Sequence, residues 1–120
     1  MPSCTDPVFV DDAVEAFLRA GTACTKKWRV YNIAGPEALT TKEIADVITR
    51  IALTPPAVKI AYPCSTQSID IGSFASDLRR ASCGLGWTPT TRFEPGIRET
   101  FEYYKAYARE YLDGPMQVCR

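Results

Sequence analysis

Short apolar runs alternate with amphipathic helical patterns along this 120-residue chain, and that alternation restricts the fold more than any other feature. Residues 39–52 form the clearest helical pattern, because Thr40 and Glu43 stand at capping-box spacing and an apolar stripe follows them. Residues 7–10 and 28–35 are compact apolar runs rich in the β-branched and aromatic residues that suit strands. The chain therefore predicts a small mixed α/β domain.

Three further helices are predicted. Residues 13–18 carry an apolar face at helical spacing, and Asp11 or Asp12 is the expected N-cap. A short helix capped by Ser76 or Asp77 is expected to end at residue 81. The last helix is expected to begin near residue 94, with proline tolerated in its first turn, and to reach residue 112.

Alternating apolar residues at 57–63 predict another strand, and residues 69–73 form a fourth, weaker strand pattern. The prediction is therefore three or four short strands with about four helices. One domain covers residues 1–115, and residues 116–120 form a tail. Trp87, Phe93, Phe101 and Tyr104 are expected to pack together in its core rather than to stack on a base.

Composition excludes several classes of function. Fourteen basic and fourteen acidic residues cancel, so no general attraction to nucleic acid or to an anionic membrane is expected. No apolar run approaches the roughly 20 residues of a membrane span, and the N-terminus lacks the pattern of a signal peptide. Five widely spaced cysteines without a CxxC pair favour reduced thiols in a cytoplasmic protein. The absence of histidine removes the commonest metal ligand and general base, so no metal site is expected.

Four stretches follow one another along the chain: VFVDDAVEAFLRA, VYNIAGPEALTTKEIADVI, SIDIGSFASDLRRA and LGWTPTTRFEPGIRETFEYY. In this order they resemble the C-terminal, substrate-binding lobe of the NAD-dependent nucleotide-sugar epimerase/dehydratase family, whose members are extended short-chain dehydrogenases/reductases. Each stretch is a loose motif alone, but their order and spacing are specific and cover nearly all of residues 8–112. The resemblance implies the C-terminal lobe of such an enzyme without its N-terminal Rossmann domain.

The resemblance also implies where the chemistry of the family lies. Its enzymes bind NAD(P) through a glycine-rich loop and transfer protons with a Tyr-x-x-x-Lys pair, both in the part that precedes this match. This sequence contains no G-x-x-G-x-x-G, and no tyrosine is followed by a lysine four residues later. We therefore predict no catalytic and no cofactor-binding residues here, and no turnover by this chain alone.

The match is poorer at the positions that contact the sugar nucleotide. Family members often carry an arginine where this chain has Thr5, and a second one where it has Gln67 or Ser68. Arginine suits a diphosphate because its planar fork makes two charge-assisted bonds, whereas Gln67 offers one neutral amide. The remaining substrate-binding candidates are Asn32, Gln67, Asp70 and Arg92.

Most of these residues also have a purely structural interpretation. Asn32 would bridge backbone groups, and Arg92 would form a surface ion pair instead of meeting a phosphate. Asp11 and Asp12 could form a paired-carboxylate site, but helix capping is the simpler reading. Arg79 and Arg80 suit a solvated helix face better than an anion site.

Two functional hypotheses follow. The first is a non-catalytic, stand-alone homologue of the substrate-binding lobe that retains weak binding of a nucleotide sugar. The second is an assembly module, either a homodimer or half of a split NAD-dependent epimerase with a separate Rossmann chain. The second is expected because apolar faces are left uncovered without the Rossmann domain.

Overall fold

Five helices and a two-stranded sheet form the described part of the chain, residues 4–23, 29–55 and 72–112, in a computed structural model. This architecture confirms the mixed α/β class. The elements in chain order are β1 (Cys4–Thr5), α1 (Val10–Thr22), β2 (Leu39–Thr40), α2 (Thr41–Ala52), α3 (Arg79–Leu85), α4 (Phe93–Ala106) and α5 (Ala108–Leu112).

The two strands pair antiparallel, with Cys4 opposite Thr40 and Thr5 opposite Leu39. On the side of β1 away from β2, the carbonyl of Cys4 accepts the backbone N–H of Phe74 at 2.8 Å. Sequence patterns therefore placed the strands wrongly within the described residues. The predicted strands at 57–63 and at 69–71 lie outside the described residues, and residues 72–73 are not in a strand.

The predicted strand at residues 7–10 is wrong because Val10 already begins α1, and residues 29–35 also form no ladder. These two segments cross instead of pairing along their length. The backbone N–H of Gly35 donates to the Asp6 carbonyl at 3.0 Å, and the next residue, Pro7, has no N–H to continue a ladder. A methyl group at Gly35 would overlap the Pro7 carbonyl, so only glycine permits this crossing.

The capping box of α2 is confirmed. The Thr40 hydroxyl accepts the Glu43 N–H at 3.2 Å, and the Glu43 carboxylate accepts the Thr40 N–H at 2.7 Å. Leu53 ends the helix in the left-handed region, with φ of 52°. Local sequence therefore determines where this helix begins, directly after β2.

The predicted N-cap of α1 is wrong. The cap position is Phe9, which has no side-chain oxygen, while Asp11 and Asp12 lie inside the first turn. The predicted N-cap of α3 is also wrong, because the cap position is Leu78 rather than Ser76 or Asp77. Asp77 still contacts the start of the helix, since its carboxylate accepts the backbone N–H of Arg79 at 3.0 Å. That helix extends to Leu85, four residues beyond the predicted end.

The predicted last helix is divided at Tyr107 into α4 and α5. It begins at Phe93, one residue before the expected start, and Pro95 lies in its first turn as predicted. The predicted aromatic core cluster is wrong, because Trp87 is fully buried whereas Tyr104 is half exposed. Tyr104 packs instead with Tyr103 and Tyr111 on the surface.

The core lies where α1 meets α3 and the turn that follows it. Trp87 packs with Ala16 of α1 and Ala81 of α3, and partly buried side chains surround this centre. The Trp87 indole N–H donates to the Asp12 carbonyl at 2.9 Å, which satisfies the polar edge of the buried ring. The partly buried side chains are Tyr31, Ile33, Leu78 and Leu85.

Candidate functional site

Asp12 is the buried charged group of the described residues, with 4% of its surface exposed. It shares the inner face of α1 with Ala16, one helical turn later. Its carboxylate accepts the backbone N–H of Thr91 at 2.8 Å, the N–H of Thr90 at 3.2 Å and the Thr90 hydroxyl at 2.9 Å. Asp12 therefore fixes the segment that enters α4, and it does not form a carboxylate pair with Asp11, which is exposed.

Burial alone would raise the pKa of Asp12. The hydrogen bonds from Thr91 and Thr90 outweigh that effect and hold the pKa below its ordinary value. The group is therefore a permanent anion at neutral pH. A proton-transfer role would require the opposite shift, toward neutrality.

Glu37 fixes the next two residues of the same segment. Its carboxylate accepts the backbone N–H of Phe93 at 2.8 Å and pairs with Arg92, with Oε1 to Nη2 at 2.6 Å and to Nε at 2.9 Å. The Phe93 N–H and then the Arg92 guanidinium lower the pKa of Glu37. Because a carboxylate at a helix N-terminus also meets the positive end of the helix dipole, this contact favours α4.

A cleft of about 760 Å³ lies between α2 and the first turns of α4. Its charged lining contains two arginines, Arg92 and Arg98, and twice as many carboxylates. Arg92 is paired with Glu37, and Arg98 is paired with Glu94 at 3.2 Å. An acidic lining with its arginines already paired disfavours a diphosphate. The lining carboxylates are Glu37, Glu94, Glu99 and Glu102.

A second cleft of about 640 Å³ lies on the other side of the α4 N-terminus, against the segment that leads into α1. Its lining is mainly apolar and aromatic, with Arg92, Asp11 and Glu99 as its charged groups. Such a surface suits the body of an apolar or ring-shaped group better than a phosphate. The apolar and aromatic lining includes Val8, Phe9, Val10, Ile97, Tyr103 and Tyr104.

The substrate-binding candidates from the sequence do not converge within the described residues. Arg92 lies at the start of α4, 75% exposed at its side chain and paired with Glu37. Asn32 is exposed near α3, where its amide donates to the Asp77 carbonyl at 3.5 Å. Gln67 and Asp70 lie outside the described residues.

Asp77 and Arg79 form a local ion pair beside Asn32. Their side chains meet at 2.6 Å, and the hydrogen bonds from Arg79 lower the pKa of Asp77 to about 2. This pairing leaves Arg79 committed to its own helix start. Arg80 donates to the Val30 carbonyl at 3.3 Å. Arg80 therefore holds the start of α3 to the Val30 segment, whereas Arg79 pairs within its own helix start.

The sequence did not identify Glu37 as a site residue. It predicted that Asp12 caps its own helix, whereas Asp12 binds Thr90 and Thr91. Glu37 and Phe93 are 56 residues apart, and no short-range spacing connects them. The adjacent threonines and the arginine before α4 were visible in the sequence, but nothing local indicates which carboxylate meets them.

In the described residues, no three cysteine, aspartate or glutamate side chains come together in a group that could hold a metal ion. No helix there combines the length and apolarity needed to cross a bilayer.

Comparison with known proteins connects this chain to nucleotide-sugar enzymes. No protein-family model matches it. The chain is 31% identical over 100 residues to a UDP-glucose 4-epimerase from Mycolicibacterium smegmatis, a match that covers 83% of this chain and 31% of the relative. The homology thus runs through most of the present sequence.

Solved structures agree at the level of the fold. MoeE5 in complex with UDP-glucose and NAD superposes with a TM-score of 0.79 at 20% identity, over 89% of this chain and 35% of MoeE5. The Thermotoga maritima UDP-glucose 4-epimerase with UDP-glucose gives a TM-score of 0.70 at 26% identity, over 89% and 33%. The Bifidobacterium longum UDP-glucose 4-epimerase in complex with NAD+ and UDP gives 0.73 at 18% identity, over 89% and 31%.

The chain spans about a third of the length of each of these relatives. The sequence similarity and the superposition cover nearly the same share of its residues. The chain is homologous to UDP-glucose 4-epimerase and has the fold of part of a nucleotide-sugar epimerase.

Proposed function

We propose that this chain is a non-catalytic homologue of the C-terminal, substrate-binding lobe of a nucleotide-sugar epimerase, and that it retains weak binding of a UDP-sugar. The observation that carries the proposal is the 31% identity to a UDP-glucose 4-epimerase over 83% of the chain. Relatives of the same fold have UDP-glucose or UDP bound in their structures. Their bound NAD belongs with a part of the fold that the resemblance places outside this chain.

Weak binding follows from the charges. The larger described cleft has twice as many carboxylates as arginines, and its two arginines are paired with Glu37 and Glu94. In addition, the resemblance places Gln67 or Ser68 where family members often have an arginine. A neutral side chain there would replace the charge-assisted bonds of a guanidinium group, so the diphosphate is expected to be held less tightly than in the relatives. Binding of the sugar and the uracil is expected to supply what affinity remains.

Calorimetric titration of the purified chain with UDP-glucose, with UDP and with NAD tests the proposal. We expect saturable binding of UDP-glucose and UDP, and none of NAD. Glucose 1-phosphate, which lacks the uridine and one phosphate, is the matched ligand control and should bind more weakly than UDP-glucose. Absence of UDP-glucose binding at millimolar concentration, or binding of NAD as tight as that of UDP-glucose, contradicts the proposal.

A second function, half of a split epimerase, is favoured by the outer face of α1. Large apolar side chains there are exposed, and such surfaces commonly mark partner sites. The partner would be a separate chain with the NAD-binding Rossmann fold. This hypothesis requires that such a chain co-purifies with the protein from its own cells and that UDP-sugar epimerisation appears only when both are present. If the co-purified complex binds no NAD, the hypothesis fails.

A further inference from the structure

Four tyrosine rings pack against one another where α4 ends and α5 begins. We refer to Tyr103, Tyr104, Tyr107 and Tyr111 as the tyrosine cluster. Three of these residues follow one another at intervals of four, which places them on one side of the helical path. Tyr103 and Tyr111 are 50% and 53% exposed, so a reagent in solution can reach both rings.

The hydroxyl groups of Tyr103 and Tyr111 lie 3.3 Å apart, within hydrogen-bonding distance. Their ring planes are inclined at 60°, and their centroids are 6.4 Å apart. Two phenols joined through their ortho carbons need a similar arrangement, because each hydroxyl stands beside the new bond and the rings twist about it. Since both side chains are half exposed, rotation can bring the two ring edges together.

We propose that Tyr103 and Tyr111 are a modification site, at which a one-electron oxidant joins the two rings as dityrosine. Each hydroxyl loses one electron and one proton, which leaves a phenoxyl radical that shares its unpaired electron with the ortho carbons. The two radicals form a carbon–carbon bond, and the hydrogen on each bonded carbon returns to its oxygen. The chain loses two hydrogen atoms. With a haem peroxidase, hydrogen peroxide accepts them and becomes two molecules of water.

Other rings of the tyrosine cluster are closer together, but their arrangement suits the bond less well. Tyr104 and Tyr111 have centroids 5.0 Å apart with the edge of one ring toward the other, at 69°. Tyr103 and Tyr107 are 4.8 Å apart and tilted by 39°. Coupling at ortho carbons requires the hydroxyl ends of two rings to meet, and within the tyrosine cluster Tyr103 and Tyr111 are the pair whose hydroxyls meet.

The cross-link would hold α5 against α4. Tyr103 lies in α4 and Tyr111 in α5, and Tyr107 separates the two helices. A bond between residues eight positions apart closes a short loop, which restricts the unfolded chain as well as the movement of α5. The oxidised chain should therefore unfold at a higher temperature than the unmodified chain. The inference depends on the geometry of the tyrosine cluster alone and not on nucleotide-sugar binding.

Oxidation of the purified chain with a haem peroxidase and hydrogen peroxide tests the proposal. At roughly 1 μM protein, rings of one chain meet at an effective concentration near the millimolar range, so cross-links between chains are disfavoured. Dityrosine fluorescence should appear. The intact mass should fall by two hydrogen atoms and stay lower after treatment with dithiothreitol, which reopens a disulfide but not a carbon–carbon bond. Trypsin cleaves after Arg98, Lys105 and Arg109, so the cross-link should join peptides 99–105 and 110–120.

Single hydroxyl deletions identify the pair. Tyr103→Phe and Tyr111→Phe keep a ring in place but remove the reacting hydroxyl, so each should lower the yield of cross-link roughly tenfold or more. Tyr104→Phe and Tyr107→Phe are the matched controls and should leave the yield unchanged. Tyr104→Phe is informative because Tyr104 shares a tryptic peptide with Tyr103.

Three results would overturn the proposal. One is a parent chain that forms no dityrosine while free tyrosine, oxidised in parallel, does. Another is a folded Tyr103→Phe or Tyr111→Phe variant with the yield of the parent. The third is an equal yield of the same cross-link in concentrated urea, which would mean that the fold does not bring the two rings together.

Discussion

The carboxylate of Asp12 on α1 accepts the backbone N–H of Thr91 at 2.8 Å, across 79 residues of sequence. Because Asp12 also accepts the indole N–H of Trp87 through its carbonyl, one residue holds both the buried ring and the entry to α4. Both clefts beside α4 depend on that entry segment for their shape.

Replacing Asp12 with alanine should lower the free energy of unfolding by about 2–4 kcal/mol. The substitution removes a buried anion and leaves the N–H groups of Thr90 and Thr91 without their acceptor. Urea denaturation measures the loss. The matched control is Asp11→Ala, an exposed neighbour, which should change stability by less than about 0.5 kcal/mol. Equal losses in the two variants would contradict the role assigned to Asp12.

The contribution of Asp12 should depend on pH. Since folding lowers its pKa, the stabilisation is present above the unfolded value of about 3.9 and is lost as pH falls through the folded value. The difference in unfolding free energy between the parent chain and Asp12→Asn should be constant above about pH 5 and should shrink below about pH 4. A difference that grows on acidification would mean that the carboxyl is neutral in the folded state.

Gly35 should not tolerate a side chain. A methyl group there would overlap the Pro7 carbonyl, and backbone cannot move aside as a flexible side chain can. We expect Gly35→Ala to cost about 2–4 kcal/mol. Gly21→Ala is the control, because open space surrounds Gly21 in α1 and the change should stabilise the helix by about 0.5–1 kcal/mol. Thermal unfolding at low protein concentration compares the two, and a neutral Gly35→Ala would show that the crossing of the two segments is wrong.

Local signals in the sequence predicted the elements whose determinants lie within a few residues. The capping box of Thr40 and Glu43, the first-turn proline of α4 and the burial of Trp87 are all visible in this way. Interactions between distant segments were not predictable. A carboxylate in a helix start looks like a cap, but Asp12 turns inward because the α1 face that carries it is the buried one.

The candidate site was less predictable than the fold for the same reason. Arg92 was identified from its place before α4, but its partner Glu37 comes from a different segment. The strand predictions at residues 7–10 and 29–35 are wrong. Apolar, β-branched runs also suit segments that cross, and here the crossing is made by the hydrogen bond from the Gly35 N–H to the Asp6 carbonyl. Gln67 and Asp70 lie outside the described residues and stay predictions.

Restoring the family's arginine should strengthen nucleotide-sugar binding. Gln67→Arg supplies a planar guanidinium group in place of a neutral amide. A charge-assisted hydrogen bond from that group should raise the affinity for UDP-glucose roughly tenfold or more. Calorimetric titration with UDP-glucose measures the gain. Gln67→Lys is the matched control, because it adds the same charge without the fork and should gain less. An unchanged affinity in Gln67→Arg would remove position 67 from the proposed site.

We propose that this chain holds a nucleotide sugar without transforming it. The most direct measurement incubates the purified chain with UDP-glucose and NAD and follows UDP-galactose formation by chromatography. We expect binding of UDP-glucose and no UDP-galactose above a control without protein, since the sequence has neither a Tyr-x-x-x-Lys pair nor a glycine-rich dinucleotide loop. Formation of UDP-galactose in proportion to the amount of this chain would contradict it.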